Sequence, residues 1–242
     1  MTRIALIGDT HMGCSGSTEY LLEKKFGELK KEDFDFLIHT GDWISHSQDQ
    51  LEPLLSLIRR HIDKPIIGVM GNHDYWNSYE PMTIKKISSL HKRLFKKYGI
   101  FYLEGSKPFR FGENLSVWGF NGWYGNTNPP TNDKYRMPKM ENNIPIHEYL
   151  SGVAHKRLER IITQARNTPG NKICVTHFPP YTFNQRYLSM CACESYLDLI
   201  CEEFSHFIVG HSHQKEDWVR LNCRVVNPGG DYDSPNYKII EV

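Results

Sequence analysis

Short apolar runs alternate with helical patterns along the first half of the chain. Aliphatic runs with the length of buried strands occupy residues 3–8, 34–40 and 64–70. Apolar residues that recur every three or four positions predict helices at about 22–29, 51–62 and 84–94. Repetition of strand, helix and strand predicts a parallel sheet with helices packed against it.

The second half of the chain has a different pattern. Short strands joined by turns are predicted at 100–103, 108–111 and 114–120, followed by helices near 158–165 and at 194–203. Further strands are predicted at 172–176 and 206–210, and the tail reads as antiparallel strands. Residues 121–147 are rich in Asn, Pro, Gly and aromatic side chains, and a loop of that length is usually functional or disordered. We predict one domain, 1–242, with a loop insertion at about 121–147.

Composition narrows the class of protein. Apolar residues make up 39% of the chain and the net charge is +1, so no strong field favours nucleic acid or a membrane surface. The N-terminal apolar run is too short for a signal peptide, and no stretch approaches the roughly 20 residues of a spanning helix. The six cysteines form no CxxC pair, which favours reduced thiols over a metal site at "CAC", 191–193. These features predict a cytoplasmic protein.

Polar side chains follow five of the apolar runs at the point where each strand ends. They are Asp9 and His11, Asp42, Asn72 and His73, His177, and His211 and His213. Because the carboxyl ends of parallel strands share one edge of a sheet, we expect these side chains to meet. Carboxylate, amide and imidazole donors without a thiol suit ions such as manganese, iron, zinc or cobalt. The number of donors fits two ions, which a bridging carboxylate can hold roughly 3.5–4 Å apart.

The ordered set D-x-H, GD, GNHD, H and GHSH resembles the calcineurin-like metallophosphoesterase superfamily. The resemblance extends from residue 4 to about 230, where "VVNPGG" is similar to the closing strand and turn of that family. It implies an α/β fold, a four-layer α/β/β/α sandwich of two mixed sheets. It also implies one divalent metal on Asp9, His11 and His213, a second on Asn72, His177 and His211, and Asp42 as the bridge. Manganese is the first expectation for both ions, with iron, zinc, cobalt or nickel as alternatives.

The resemblance also implies a mechanism. A metal-bridged hydroxide attacks phosphorus in line with the leaving group, and His73 faces the leaving oxygen. Asp74 is expected to hold the imidazole ring and favour its protonated form, so that His73 acts as general acid.

The choice among phosphoesterases depends on departures from subgroup patterns. Protein phosphatases of this superfamily carry an arginine after GD and prefer glutamate at the position of Asp74, whereas "WISHSQDQ" follows Asp42 here. The pattern is closest to small phosphodiesterases of the cyclic-nucleotide type (class III), which predicts hydrolysis of a small nucleotide-like diester. The alternatives are a phosphomonoesterase for a nucleotide or phosphoprotein, a nuclease, and a non-catalytic metal-binding scaffold.

Candidate substrate contacts lie in and after the long loop. Trp123 and Tyr124 could stack on a base, and Arg136 or Arg186 could bind a phosphate. The alternative is that the aromatic residues pack the loop against the body of the protein. The expected partner is a small phosphoester or nucleotide, without a membrane and without a strong nucleic-acid signal; the sequence leaves the oligomeric state open.

Overall fold

The computed structural model describes residues 1–15, 18–77, 82–104, 107–125 and 146–242. In that part of the chain, strands form two mixed sheets. The first sheet contains β1 (Arg3–Ile7), β2 (Phe36–His39), β3 (Ile66–Gly68), β4 (Ile100–Tyr102) and β11 (Tyr237–Glu241). Its order is β11-β1-β2-β3-β4, in which β1 to β4 run parallel and β11 pairs antiparallel with β1.

The second sheet is built from the later part of the chain. It contains β5 (Phe109–Phe111), β6 (Leu115–Gly119), β7 (Asn171–Val175), β8 (His206–Ile208), β9 (Glu216–Arg220) and β10 (Cys223–Asn227). Its order is β5-β6-β7-β8-β10-β9. The four central strands run parallel, and β5 and β9 pair antiparallel at the two edges.

Alternation along the strands explains how the sheets pack. In β1, Ile4 and Leu6 belong to one buried cluster while Ala5 and Ile7 belong to another, as expected when successive side chains point to opposite faces. The cluster that contains Ile4 draws its residues from both sheets and is therefore the interface between them. The other faces of the sheets meet the helices.

Five helices lie in the described residues. They are α1 (Thr18–Leu29), α2 (Leu51–His61), α3 (Ile84–Lys97), α4 (Ile146–Arg166) and α5 (Ser195–Glu203). Helix α3 shows why the boundaries fall where they do: the Thr83 side chain accepts the Lys86 amide at the start, and Gly99, at φ +64°, follows the end. The four-layer α/β/β/α fold expected from the sequence is confirmed. No helix in the described ranges has the length and apolar character to span a membrane.

The predicted loop at 121–147 differs in part from the structure. Helix α4 begins at Ile146 and is 21 residues long, so the loop cannot extend to 147. The apolar spacing marked only the C-terminal half of this helix, because its first turns carry few buried residues: Leu150 and Ala154 precede Leu158. Residues 126–145 of the loop lie outside the described residues. The single-domain assignment stays a prediction.

Candidate metal centre

The polar residues that follow five strands lie together at the seam between the two sheets. Loops after β1, β2 and β3 carry Asp9, His11, Asp42 and Asn72, and loops after β7 and β8 carry His177, His211 and His213. Six of the seven side chains belong to buried residues, and the His213 side chain is 5% exposed. The carboxyl ends of the parallel strands therefore deliver these groups to one place, as the strand pattern predicted.

The donors form two groups. In the first, His11 Nε2 lies 3.4 Å from His213 Nε2, which is 3.7 Å from Asp9 Oδ1. In the second, His177 Nε2 lies 3.2 Å from both Asn72 Oδ1 and His211 Nδ1. Within the groups Asp9–His11–His213 and Asp42–His177–His211, one ligand atom per residue lies within 4.8 Å of the others.

Asp42 lies between the two groups. Its Oδ2 is 3.7 Å from His11 Nε2 and 3.3 Å from His177 Nε2. Its Oδ1 accepts the backbone N–H of His73 at 2.9 Å, which fixes the carboxylate. This is the position that a bridging ligand would need.

In two of the histidines, the Nδ1 proton points away from the centre. His177 Nδ1 lies 2.9 Å from the Thr40 carbonyl, which can only accept, so Nδ1 carries the proton and Nε2 presents a lone pair. Asn72 Oδ1 and Asp42 Oδ2 face that lone pair at 3.2 and 3.3 Å. Three electron-rich atoms at these distances repel one another unless a cation lies among them. In His213, Nδ1 donates to Asp231 Oδ1 at 2.7 Å, so Nε2 likewise presents a lone pair to the centre.

Burial sets the charge of the donors. It lowers the pKa of His11 and of His211 well below the usual value, so both rings are neutral and able to bind a metal. Burial raises the pKa of Asp9 to about 6. A nearby cation would reverse that shift, because it favours the ionised carboxylate. The donor set therefore fits divalent cations.

The backbone is strained at the same residues. Five candidate ligands have positive φ: Asp9 (51°), His11 (43°), Asp42 (52°), His211 (67°) and His213 (54°). Such conformations cost about 1–3 kcal/mol each in a residue other than glycine and concentrate at functional sites. Gly71 shows how closely the loops approach, since a Cβ there would lie 2.1 Å from Asp42 Oδ1.

His73 lies beside the donors with its two ring nitrogens in different surroundings. Nδ1 donates to the Ser45 carbonyl at 2.8 Å. The ring lies 3.6 Å from the Trp76 ring and 4.4 Å from the His11 ring, centroid to centroid. Nε2 faces the hydroxyl of Tyr232 at 3.3 Å.

The expected contact between Asp74 and the His73 ring is not the one in the structure. Asp74 Oδ1 accepts the amides of Trp43 (2.9 Å) and Ile44 (3.2 Å), and Oδ2 accepts that of Gly71 (2.8 Å). Residues 73–75 form a 3₁₀ turn, in which consecutive side chains point about 120° apart. Asp74 therefore fastens the loops together, and the Ser45 carbonyl holds the ring.

Two further tyrosines, which sequence reasoning missed, contact the centre. The Tyr187 ring stacks on the His213 ring at 5.3 Å and 15°, and the Tyr232 ring lies 4.2 Å from the His11 ring. Burial raises the pKa of Tyr232, so its hydroxyl stays protonated. The sequence held one signal for this turn: a polar "DYD" follows "VVNPGG", just as polar residues follow the other strands.

The predicted substrate contacts have mixed outcomes. Trp123 is 2% exposed and packs against Phe178 and Tyr75, so its faces are not available to stack on a ligand. Tyr124 is also buried, with its ring 5.7 Å from that of His211. Exposed Arg186 places its guanidinium 5.7 Å from the Tyr187 ring. Arg136 lies outside the described residues.

The sequence also matches a known protein family over most of its length. The profile of the calcineurin-like phosphoesterase family matches residues 2–215. The chain belongs to this family. It is therefore a metal-dependent phosphoesterase of a family that uses two metal ions, and the predicted superfamily is confirmed.

Solved structures of the same fold have low sequence identity to this chain. A phosphopantetheinyl hydrolase from Mycobacterium tuberculosis is 17% identical, with a TM-score of 0.67 over 95% of this chain and 89% of that one. A dimetal phosphatase from Danio rerio is 11% identical, with a TM-score of 0.58 over 98% of this chain and 91% of that one. No curated protein sequence matches the chain. These likenesses establish the fold and not the substrate.

Proposed function

We propose that this phosphoesterase is a two-metal phosphodiesterase that hydrolyses a small nucleotide-like diester. The observation that carries the proposal is the arrangement of two donor groups around Asp42, whose Oδ2 lies 3.7 Å from His11 Nε2 and 3.3 Å from His177 Nε2. In this proposal Asp9, His11 and His213 hold one ion, Asn72, His177 and His211 hold the other, and Asp42 bridges them. Two bound divalent cations supply Lewis-acid stabilisation of phosphoryl oxygens and acidify a water molecule.

The protein's own contribution to the reaction comes from His73. Its Nδ1 is held by the Ser45 carbonyl, and one of its ring nitrogens lies within 4.8 Å of a ligand atom of His11 and of Asp42. A protonated Nε2 can deliver its proton to the departing oxygen. Asp74 positions this loop through three backbone amides and takes no direct part in the proton transfer.

A diester is preferred over a monoester because aromatic side chains flank the centre. Trp76, Tyr187 and Tyr232 contact His73, His213 and His11 respectively. A diester carries one negative charge and two organic substituents, which aromatic faces can contact. Arg186 beside Tyr187 favours the second candidate, a phosphomonoesterase, because a guanidinium can bind the extra charge. We further propose manganese as the physiological metal and a cytoplasmic location, which agrees with six free thiols.

Two chromogenic esters separate the candidates. Protein stripped with a chelator and reloaded with Mn²⁺ is expected to hydrolyse bis-p-nitrophenyl phosphate faster than p-nitrophenyl phosphate. His177→Asn should abolish the activity, whereas His155→Asn, the same change on an exposed face of α4, should preserve it. Faster hydrolysis of the monoester would favour the phosphomonoesterase, and hydrolysis of neither ester would reject both.

The role of His73 has its own test. His73→Gln should lower kcat by about 10²–10⁴-fold on a diester with an alkoxide leaving group, because that group needs a proton. The loss should be far smaller with p-nitrophenolate, which leaves without one. Equal losses on the two substrates would contradict the assignment of His73 as general acid.

A further inference from the structure

A tight turn after β10 folds back over the candidate metal centre. Gly229 has φ +65°, and a Cβ on Gly230 would lie 2.5 Å from the Gly8 carbonyl oxygen, so the turn is pressed against the loop after β1. Asp231 and Ser234 exchange backbone hydrogen bonds of 3.3 and 3.0 Å, which closes the turn. The position of residue 232 is therefore fixed by the backbone on both sides.

Tyr232 connects the metal-binding part of the site with His73. Its ring lies 4.2 Å from the His11 ring and 5.0 Å from the His213 ring, and its hydroxyl reaches His73 Nε2 at 3.3 Å. The neighbouring Asp231 holds His213 through Nδ1 at 2.7 Å. Two consecutive residues thus contact a candidate ligand and the candidate acid.

The His73 ring is held at both of its nitrogens. Nδ1 donates to the Ser45 carbonyl at 2.8 Å, so Nε2 of the neutral ring is an acceptor. The Tyr232 hydroxyl lies 3.3 Å from Nε2 and can donate to it. Contacts at opposite ends of the ring therefore fix its orientation beside the candidate ligands.

We propose that Tyr232 is a positioning residue for phosphoester hydrolysis, whose hydroxyl aims His73 at the leaving group and whose ring forms the adjacent side of the leaving-group site. The proposal rests on the proposed function of the centre. It assigns separate tasks to the two parts of one side chain: the hydroxyl supports proton transfer, and the ring supports binding of the leaving group.

The test compares two diesters that differ in the basicity of the leaving group. Wild type and Tyr232→Phe, each loaded with Mn²⁺, are assayed on methyl phenyl phosphate and methyl p-nitrophenyl phosphate. Tyr232→Phe should lose about tenfold in kcat on the phenyl ester, the scale of one lost hydrogen bond, and much less on the nitrophenyl ester. KM should change little, whereas Tyr232→Ala should also raise KM because the ring is gone.

A matched control and a second measurement separate positioning from general damage. Tyr237→Phe removes a hydroxyl in β11 that bonds Glu32 at the surface, and it should leave kcat and KM unchanged. In metal-free protein with ¹⁵N-labelled histidine, Tyr232→Phe should shift the Nε2 resonance of His73, which His73→Asn identifies by its loss. An unshifted resonance would overturn the inference.

The outcomes distinguish this inference from the proposed function. If wild type hydrolyses both esters and Tyr232→Phe loses equally on both, or on neither, Tyr232 has no positioning role and the proposed function stands. If wild type hydrolyses neither ester, the proposed function fails and the inference is overturned with it.

Discussion

Replacement of Asp42 tests whether two metal ions share one carboxylate. Asp42→Asn preserves the size of the side chain and the oxygen that accepts the His73 amide at 2.9 Å. It removes the negative charge. Because Oδ1 keeps the bond to the His73 amide, the amide nitrogen takes the place of Oδ2, the atom 3.7 Å from His11 Nε2 and 3.3 Å from His177 Nε2. Both metal sites should therefore lose their shared ligand while the fold is kept.

The size of the stability that bound metal adds follows from the linkage between metal binding and folding. At a free metal concentration 100 times Kd, one site raises the free energy of unfolding by about 2.7 kcal/mol, and two sites by about 5 kcal/mol. In a chain of 242 residues that corresponds to a rise in Tm of about 10–20 °C. Asp42→Asn should lose most of this rise.

Without metal, the Asp42→Asn change should not lower the free energy of unfolding. Burial raises the pKa of both Asp9 and Asp74, and the nearby Asp42 charge raises each further, so the three carboxylates repel one another without metal. Removing the Asp42 charge relieves part of this repulsion. Metal-free Asp42→Asn should therefore be at least as stable as metal-free wild type.

Thermal unfolding with chelator and with Mn²⁺, together with metal analysis of the folded protein, measures both effects. Asp198→Asn is the matched control, because that carboxylate pairs with Arg220 at the surface; its metal-dependent rise in Tm should equal that of wild type. An Asp42→Asn protein with the full metal-dependent rise in Tm would show that Asp42 is not a shared ligand. One much less stable than wild type in chelator would show that its charge does not destabilise the metal-free site.

Three further changes should have distinct effects. Gly71→Ala puts a Cβ 2.1 Å from Asp42 Oδ1, so it should destabilise the protein by about 1–3 kcal/mol in urea unfolding and weaken Mn²⁺ binding in calorimetry. Asp231→Asn removes the carboxylate that holds His213 Nδ1 and should weaken Mn²⁺ binding about 10–100-fold; unchanged affinity would contradict that role. Burial lowers the pKa of His91 to about 3, below the usual 6.5, so folded protein binds fewer protons than unfolded protein and stability is lost as pH falls between these values. Between pH 7 and 5, metal-free wild type should therefore lose about 2 kcal/mol more than His91→Gln, and parallel pH profiles would contradict this.

The convergence of the candidate ligands could be predicted because it depends on strand ends. Each candidate ligand follows an apolar run, and the shared direction of parallel strands brings those ends together whatever the details of the loops. Periodicity also indicated the strands, the helices and a parallel sheet, because a sequence displays that pattern directly. The sandwich of two sheets was expected only from the resemblance to the metallophosphoesterase superfamily, since short apolar runs do not show which strands share a sheet.

The contacts around His73 could not be predicted because they depend on backbone angles. Asp74 is adjacent in sequence, yet the 3₁₀ turn directs its carboxylate to backbone amides. Tyr232 is 159 positions away and reaches His73 through a turn that has Gly229 at φ +65°. The burial of Trp123 follows from packing against Phe178 and Tyr75, which residue type alone does not specify.

Anomalous diffraction from crystals of the Mn²⁺-loaded protein would locate the metal ions themselves. Two peaks are expected roughly 3.5–4 Å apart, both in contact with the Asp42 carboxylate. One should contact Asp9, His11 and His213, and the other Asn72, His177 and His211. A single peak, or two peaks of which one lies away from Asp42, would show that Asp42 does not bridge two ions.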